Sequence, residues 1–180
     1  MKTNLVYGLY LTLALMLLNL AFYFLGYHSD VEKFATADLI SKIAFWVFAI
    51  VFIVLGTRAR RNEVPVTEEF GYGQALLSGF RISLFAGLFG IVTNYLYMKV
   101  INPGFIEVII QVATAKAEAK GAGSAQIEQM EKGIRFMMNP VFSGIFVLIL
   151  ITLCGTLVAL VTSAFLKRPA QDNLTPPVSA

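Results

Sequence analysis

The chain has 180 residues, of which 57% are hydrophobic and 14% charged, with a formal net charge of +3. That is too few charged side chains to cover a soluble domain of this size, and the apolar residues come in long blocks instead of alternating with polar ones. The small positive excess sits beside those blocks, which argues against a nucleic-acid partner; the single cysteine, Cys154, excludes an intrachain disulfide.

The first block runs from Leu5 to Tyr27 without a charged residue. It is too long for a signal-peptide core, and no small-x-small cleavage site follows, so it is expected to be a retained membrane helix. The second, Leu39 to Gly56, carries Lys42 in its first turn, where a long side chain can snorkel to the headgroups. The third runs from about Ala75 to Met98 and the fourth from Val141 to Leu166. As helices these blocks are about 27 to 39 Å long, enough to cross a bilayer. The chain is therefore expected to be an all-α integral membrane protein with one four-helix transmembrane domain over residues 1–168. A disordered cytoplasmic tail is expected over 169–180, where three prolines accompany no apolar run.

Lys2, the Arg58-Ala59-Arg60-Arg61 cluster and Lys167-Arg168 flank ends that four alternating spans place on one side. By the positive-inside rule that side is the cytoplasm, and both termini are expected there. Arg81, early in the third span, can snorkel to the same side.

Between the third and fourth spans, residues 103–138 are predicted to form an extracytoplasmic helical hairpin. Asn102-Pro103 supplies a start signal, and Ile106, Ile110, Ala113 and Ala117 form one stripe. Gly121-Ala122-Gly123 breaks the pattern, Ser124 can cap a new helix, and Ile127, Met130, Ile134 and Met137 repeat the stripe. Asn139-Pro140 closes the segment. The hairpin can be a connector that packs on itself, or a docking element whose Met130, Met137 and Met138 form an adaptable apolar surface.

Motifs for chemistry are sparse. His28 is the only histidine; with Asp30 and Glu32 it falls short of a zinc ligand set and reads as an interfacial polar residue. No serine has a histidine partner, and neither a P-loop nor a dinucleotide fingerprint occurs. No Asp or Glu lies inside a span, which weighs against a proton relay. Asn19, Thr93 and Asn94 are the intramembrane polar residues that can line a pathway or hydrogen-bond between helices. The small residues Ser83 and Gly87, Ala86 and Gly90, and Gly155, Ala159 and Ser163 are spaced by four, a pattern that lets helices approach closely.

Several segments resemble the DUF4199 family: Gly8, the Phe70-Gly71-Tyr72-Gly73-Gln74-Ala75 approach to the third span, and Gly79-Phe80. So do Tyr95-Leu96-Tyr97, the run from Ile101 to Glu107, and Gln126-Ile127-Glu128. The resemblance covers nearly the whole chain to about Lys167. It implies a small four-span protein of a bacterial inner membrane, mainly from Bacteroidetes, and transfers no catalytic residues.

The expected function is a non-enzymatic scaffold or accessory subunit without cofactors. It would present the hairpin to a membrane-protein partner, or associate into a homo-oligomer through small-residue helix faces. The alternative is a small oligomeric transporter or channel, which requires Asn19, Asn94, Thr93 and Ser83 to converge on a wet cavity.

Overall fold

The computed structural model describes residues 1–171; most of the expected tail, residues 172–180, lies outside them. Four helices are long and apolar enough to cross a membrane. They are α1 (Lys2–Phe24), α2 (Val31–Asn62), α3 (Tyr72–Leu96) with a π-helical extension (Tyr97–Ile101), and α6 (Pro140–Leu166). Two shorter helices, α4 (Phe105–Glu118) and α5 (Ser124–Met137), lie between α3 and α6.

Local chemistry accounts for the ends. Asp30 caps α2, its carboxylate accepting from the Glu32 and Lys33 amides at 2.9 and 3.4 Å. Asn139 accepts from the Val141 amide at 3.0 Å, with Pro140 at the first position of α6. Gly26 and Gly121, with φ of 77° and 79°, let the chain turn after α1 and between α4 and α5. The second span is longer than its apolar block, because the Asp30 cap extends it upstream and the Arg58-Ala59-Arg60-Arg61 cluster forms its last turns. The start of α4 also differs from expectation. Gly104, not Asn102, occupies the N-cap, and buried Asn102 directs its side-chain amide to the Tyr97 hydroxyl at 3.4 Å.

The bundle is built on α3, which packs most extensively on α6 and then on α1, while α2 closes the ring against α1, α3 and α6. Lipid offers no hydrophobic drive between helices, so close approach and van der Waals contact must hold them. Glycines mark those approaches. A Cβ on Gly8 would lie 2.8 Å from the Ile82 carbonyl oxygen, and one on Gly87 would lie 2.9 Å from that of Leu148. Ser83, Ala86, Gly87, Gly90, Gly155, Ala159 and Ser163 are all buried at such internal contacts. The small-residue faces expected to support association are occupied by these contacts within the chain.

Large apolar side chains such as Leu17, Phe24, Ile43, Leu153 and Phe165 point outward. An apolar exterior around a packed small-residue interior is the arrangement a bilayer stabilises.

Helices α4 and α5 form an antiparallel hairpin at the end of the bundle reached by the C-terminus of α3. Arg135 donates to both carboxylate oxygens of Glu107 at 2.6 and 2.9 Å, and Thr114 donates to Glu131 at 3.4 Å. Ile110 and Val112 of α4, which packs on α2 as well as α5, are buried. At the opposite end the chain after α6 doubles back on the α2–α3 loop. Phe70 and Arg168 exchange backbone hydrogen bonds of 2.9 and 2.8 Å, and the Gln171 amide donates to Val66 at 2.9 Å. Residues 169–171, expected within the disordered tail, are thus tied to that loop.

Candidate functional site: a lateral cavity between the spans

In the half of the bundle nearer the hairpin, α2 and α6 separate. Lower down they join through Ala49 and Ile53 against Val158 and Ala159. Above that layer they become opposite walls of a cavity of about 490 Å³: Ser41, Lys42, Phe45 and Trp46 on α2, and Val147, Leu150, Ile151 and Cys154 on α6. Helix α1 contributes Thr12, Leu15, Met16 and Asn19, helix α3 Gly90, Thr93 and Asn94, and Tyr97 and Phe105 close the top. The volume falls within the roughly 300–1,000 Å³ of small-molecule sites. Trp46 and Leu150 are both partly exposed on the outer surface, so the cavity opens sideways, toward hydrocarbon.

The polar groups in this apolar wall are partly engaged on the helices themselves. The Asn19 amide donates to the Leu15 carbonyl at 3.0 Å, the Asn94 amide to the Ser143 hydroxyl at 2.9 Å, and Thr93 to the Gly90 carbonyl at 3.2 Å. Thr12, at the base, points its hydroxyl at the Gly8 and Ala86 carbonyls. Each asparagine amide keeps a second N–H and its carbonyl oxygen beyond these bonds. At the rim Lys42 pairs with Asp38 at 2.6 Å while staying exposed, leaving ammonium protons for another acceptor. The cavity lining contains no carboxylate.

Above the cavity His28 is buried, not interfacial. Its ring sits among Phe22, Phe34, Tyr97 and Phe105, and Nδ1 meets the Tyr97 hydroxyl. Asn102 donates to the same hydroxyl, so the imidazole, the phenol and the amide form one buried chain of hydrogen bonds. Burial lowers the His28 pKa, which favours the neutral ring. Asp30, which the sequence places beside it, is engaged in its helix cap. Tyr97 belongs to the π-helical turn closed by the Asn102 amide on the Tyr97 carbonyl at 2.7 Å, a wider turn of the kind that recurs at functional sites.

The structure thus brings Asn19, Thr93 and Asn94 together but leaves Ser83 out; Ser83 is fully buried against Gly155 and donates to the Gly79 carbonyl at 2.9 Å. Arg81 lies elsewhere, in a second cavity at the opposite end. Of the hairpin methionines, Met137 is 60% exposed, whereas Met130 and Met138 are half-buried. Sequence reasoning missed Lys42, Phe45 and Trp46 as one wall. Their spacing, with Ser41, places them on one face of α2, and a face that mixes hydroxyl, ammonium and aromatic groups is the signal that was available.

No curated protein and no solved structure matches the chain. A family model described as "Protein of unknown function (DUF4199)" matches residues 6–168, nearly the whole length. The chain belongs to the DUF4199 family.

Proposed function

We propose that this protein is a non-catalytic membrane binding protein that admits a single-chain amphiphile sideways from the bilayer. The observation that carries this reading is the lateral cavity. An apolar tail fits between Phe45, Trp46, Leu150 and Ile151, and the Lys42 ammonium at the rim complements an anionic headgroup. Burial of methylene groups supplies affinity at about 0.8 kcal/mol each, so even a partly inserted chain is held. The layer of Leu11, Ala86 and Ile151 beneath the cavity favours binding over a continuous conduit. We place the protein in a bacterial inner membrane with both termini cytoplasmic, on the distribution of Lys and Arg, which puts the hairpin and the cavity in the outer half.

The single tryptophan gives a direct test. A brominated fatty acid titrated into the reconstituted protein is expected to quench Trp46 emission saturably. Thr93→Phe, which fills the cavity, should abolish the saturable part, and Lys42→Gln should weaken it for the acid more than for the matching alcohol. Quenching that is linear and identical in Thr93→Phe would reduce the cavity to a groove filled by bulk lipid.

A second reading, an accessory subunit that docks a partner at the hairpin, draws on the cluster of Phe136, Met137, Val141 and Phe142. All four are at least half exposed, and the Phe136 and Phe142 rings are 4.6 Å apart. Crosslinking from Met137 in native membranes tests it; recovery of lipid alone there counts against a protein partner.

A further inference from the structure

At the other end of the bundle, Gln74, Leu77, Ser78 and Arg81 fall at i, i+3, i+4 and i+7 on α3 and share one face. That face meets Asn4 of α1 and Arg60 of α2, and with Val64, Glu68 and Phe70 of the following loop encloses a second cavity of about 200 Å³. Its polar wall is a fixed structure. Asn4 and Ser78, 1% and 2% exposed, are joined by the Ser78 hydroxyl donating to Asn4 at 3.0 Å.

Two arginines, Arg60 and Arg81, line this cavity. Arg60 places Nη1 on Glu63 at 2.7 Å, leaving further donors on the same planar group. Arg81 stands about two and a half turns inside an apolar helix. A charge at such depth persists where it faces a cavity and an acceptor, and a planar guanidinium matches phosphate oxygens in pairs. Two further features narrow the ligand. Leu77 is 45% exposed beside this polar cavity, so whatever binds has an apolar portion next to its anion. Glu68 lines the same cavity and calls for a cation close to that anion.

We propose that this cavity binds the headgroup of a membrane phospholipid bearing a primary ammonium. The phosphate is held by Arg60 and Arg81, the ammonium faces Glu68, and the acyl chains lie along Leu77. Free phosphate satisfies the guanidinium groups but sets an anion against Glu68 and leaves Leu77 without an apolar neighbour. A quaternary ammonium has no N–H to donate to Glu68. The site is independent of the lateral cavity, and neither assignment depends on the other.

The test is native mass spectrometry of the full-length protein released from nanodiscs containing phosphatidylethanolamine and phosphatidylcholine. Retention of phosphatidylethanolamine over phosphatidylcholine is expected. Arg81→Gln should lower retention about tenfold or more, the loss expected for one charge-assisted contact. Glu68→Gln should erase the preference between the two lipids while keeping phosphate-dependent retention, and Arg81→Lys should retain an intermediate amount. Should Arg81→Gln fail to insert, Arg60→Gln carries the same expectation. Unchanged retention in a helical, inserted Arg81→Gln or Arg60→Gln protein overturns the proposal. Displacement of the lipid by inorganic phosphate alone overturns it too, marking a free-anion site.

Discussion

His28 and Tyr97, 69 residues apart, meet in a buried hydrogen bond that ties the α1–α2 turn to the foot of the hairpin. The imidazole is neutral there, and burial holds its pKa below 6.5. The unfolded turn binds a proton near that value while the folded one does not, so this contribution is fully present above it. It is lost as pH falls through the lower, folded value. Protection of Phe105–Glu118 against hydrogen exchange, taken relative to the intrinsic exchange rate at each pH, should therefore fall on acidification from about pH 7.5 toward 5, the range over which histidines charge. His28→Phe should flatten that dependence. Tyr97→Phe should cost about 1–3 kcal/mol, because it leaves a buried ring nitrogen without its hydrogen-bond partner. A protection factor that does not change with pH in the wild type would show that the ring is not held neutral by its cage.

The α3–α6 contact predicts strong sensitivity to one methyl group. A Cβ at Gly155 would lie 2.6 Å from the Ser83 Cβ and closer still to its hydroxyl. Gly155→Ala should destabilise the bundle by about 1–3 kcal/mol, the usual cost of overpacking a tight interior. Ser83→Gly should recover part of that loss in the double variant, a coupling readable by unfolding in mixed micelles. Additive effects would mean that the helices shift apart freely at this level.

Which parts of this arrangement the sequence made legible follows from what sets each of them. The spans were legible because bilayer thickness fixes their length, and the small-residue rows because close helix approach demands them. Gly8 and Gly79 stood out within the family resemblance, and each proves to be a point where one span presses on another. The cavity was legible only in part. Asn19, Thr93 and Asn94 were visible as polar residues in apolar helices, but whether they converge depends on how far α2 and α6 separate, a property of the assembled bundle. His28 was misplaced for the same reason: its partners Phe22, Phe34, Tyr97 and Phe105 come from four separate segments of the chain.

The C-terminal clasp gives a third prediction. Arg168 donates from Nη2 to the Val64 and Pro65 carbonyls, both at 2.8 Å, while Phe70, 2% exposed, packs with Ala75 and Leu166. Arg168→Ala leaves those loop carbonyls without their donor and should make the Glu63 to Glu69 segment cleavable by added protease in inside-out vesicles, with the spans intact. Phe70→Ala should do the same and cost about 3–5 kcal/mol in addition. Resistance of both variants to cleavage would show that the loop is held by its own turn.

Topology is tested by reporters. Fusions within Thr57 to Gln74 and after Lys167 should read cytoplasmic, and one at Gly121-Ala122-Gly123 should read outside. Those segments lie at opposite ends of the bundle, so a cytoplasmic signal from the glycine turn would invert the whole molecule and move both cavities to the other leaflets.

The hairpin separates a surface ion pair from a buried apolar contact. Arg135 bonds the Glu107 carboxylate and holds its pKa below the usual range, but both side chains are more than half exposed, so water and salt screen the pair. Glu107→Gln should change hairpin protection little. What the pair does contribute disappears as pH falls through the lowered pKa of Glu107, well below neutrality. Ile110 is 5% exposed, and α4 and α5 have 14 residues each, a length at which isolated helices are marginal in water. Ile110→Ala should therefore cost about 2–5 kcal/mol of local stability and open both helices to hydrogen exchange. The four spans should stay protected, because their backbone bonds are held by the bilayer and by one another. The lateral cavity adds a second readout. Phe105, the first residue of α4, closes its top, so an opened hairpin should loosen Trp46 and weaken saturable quenching by the brominated acid. If Ile110→Ala melts α4 and α5 while that quenching is unchanged, the hairpin is no part of the binding site, and Phe105 is only its neighbour.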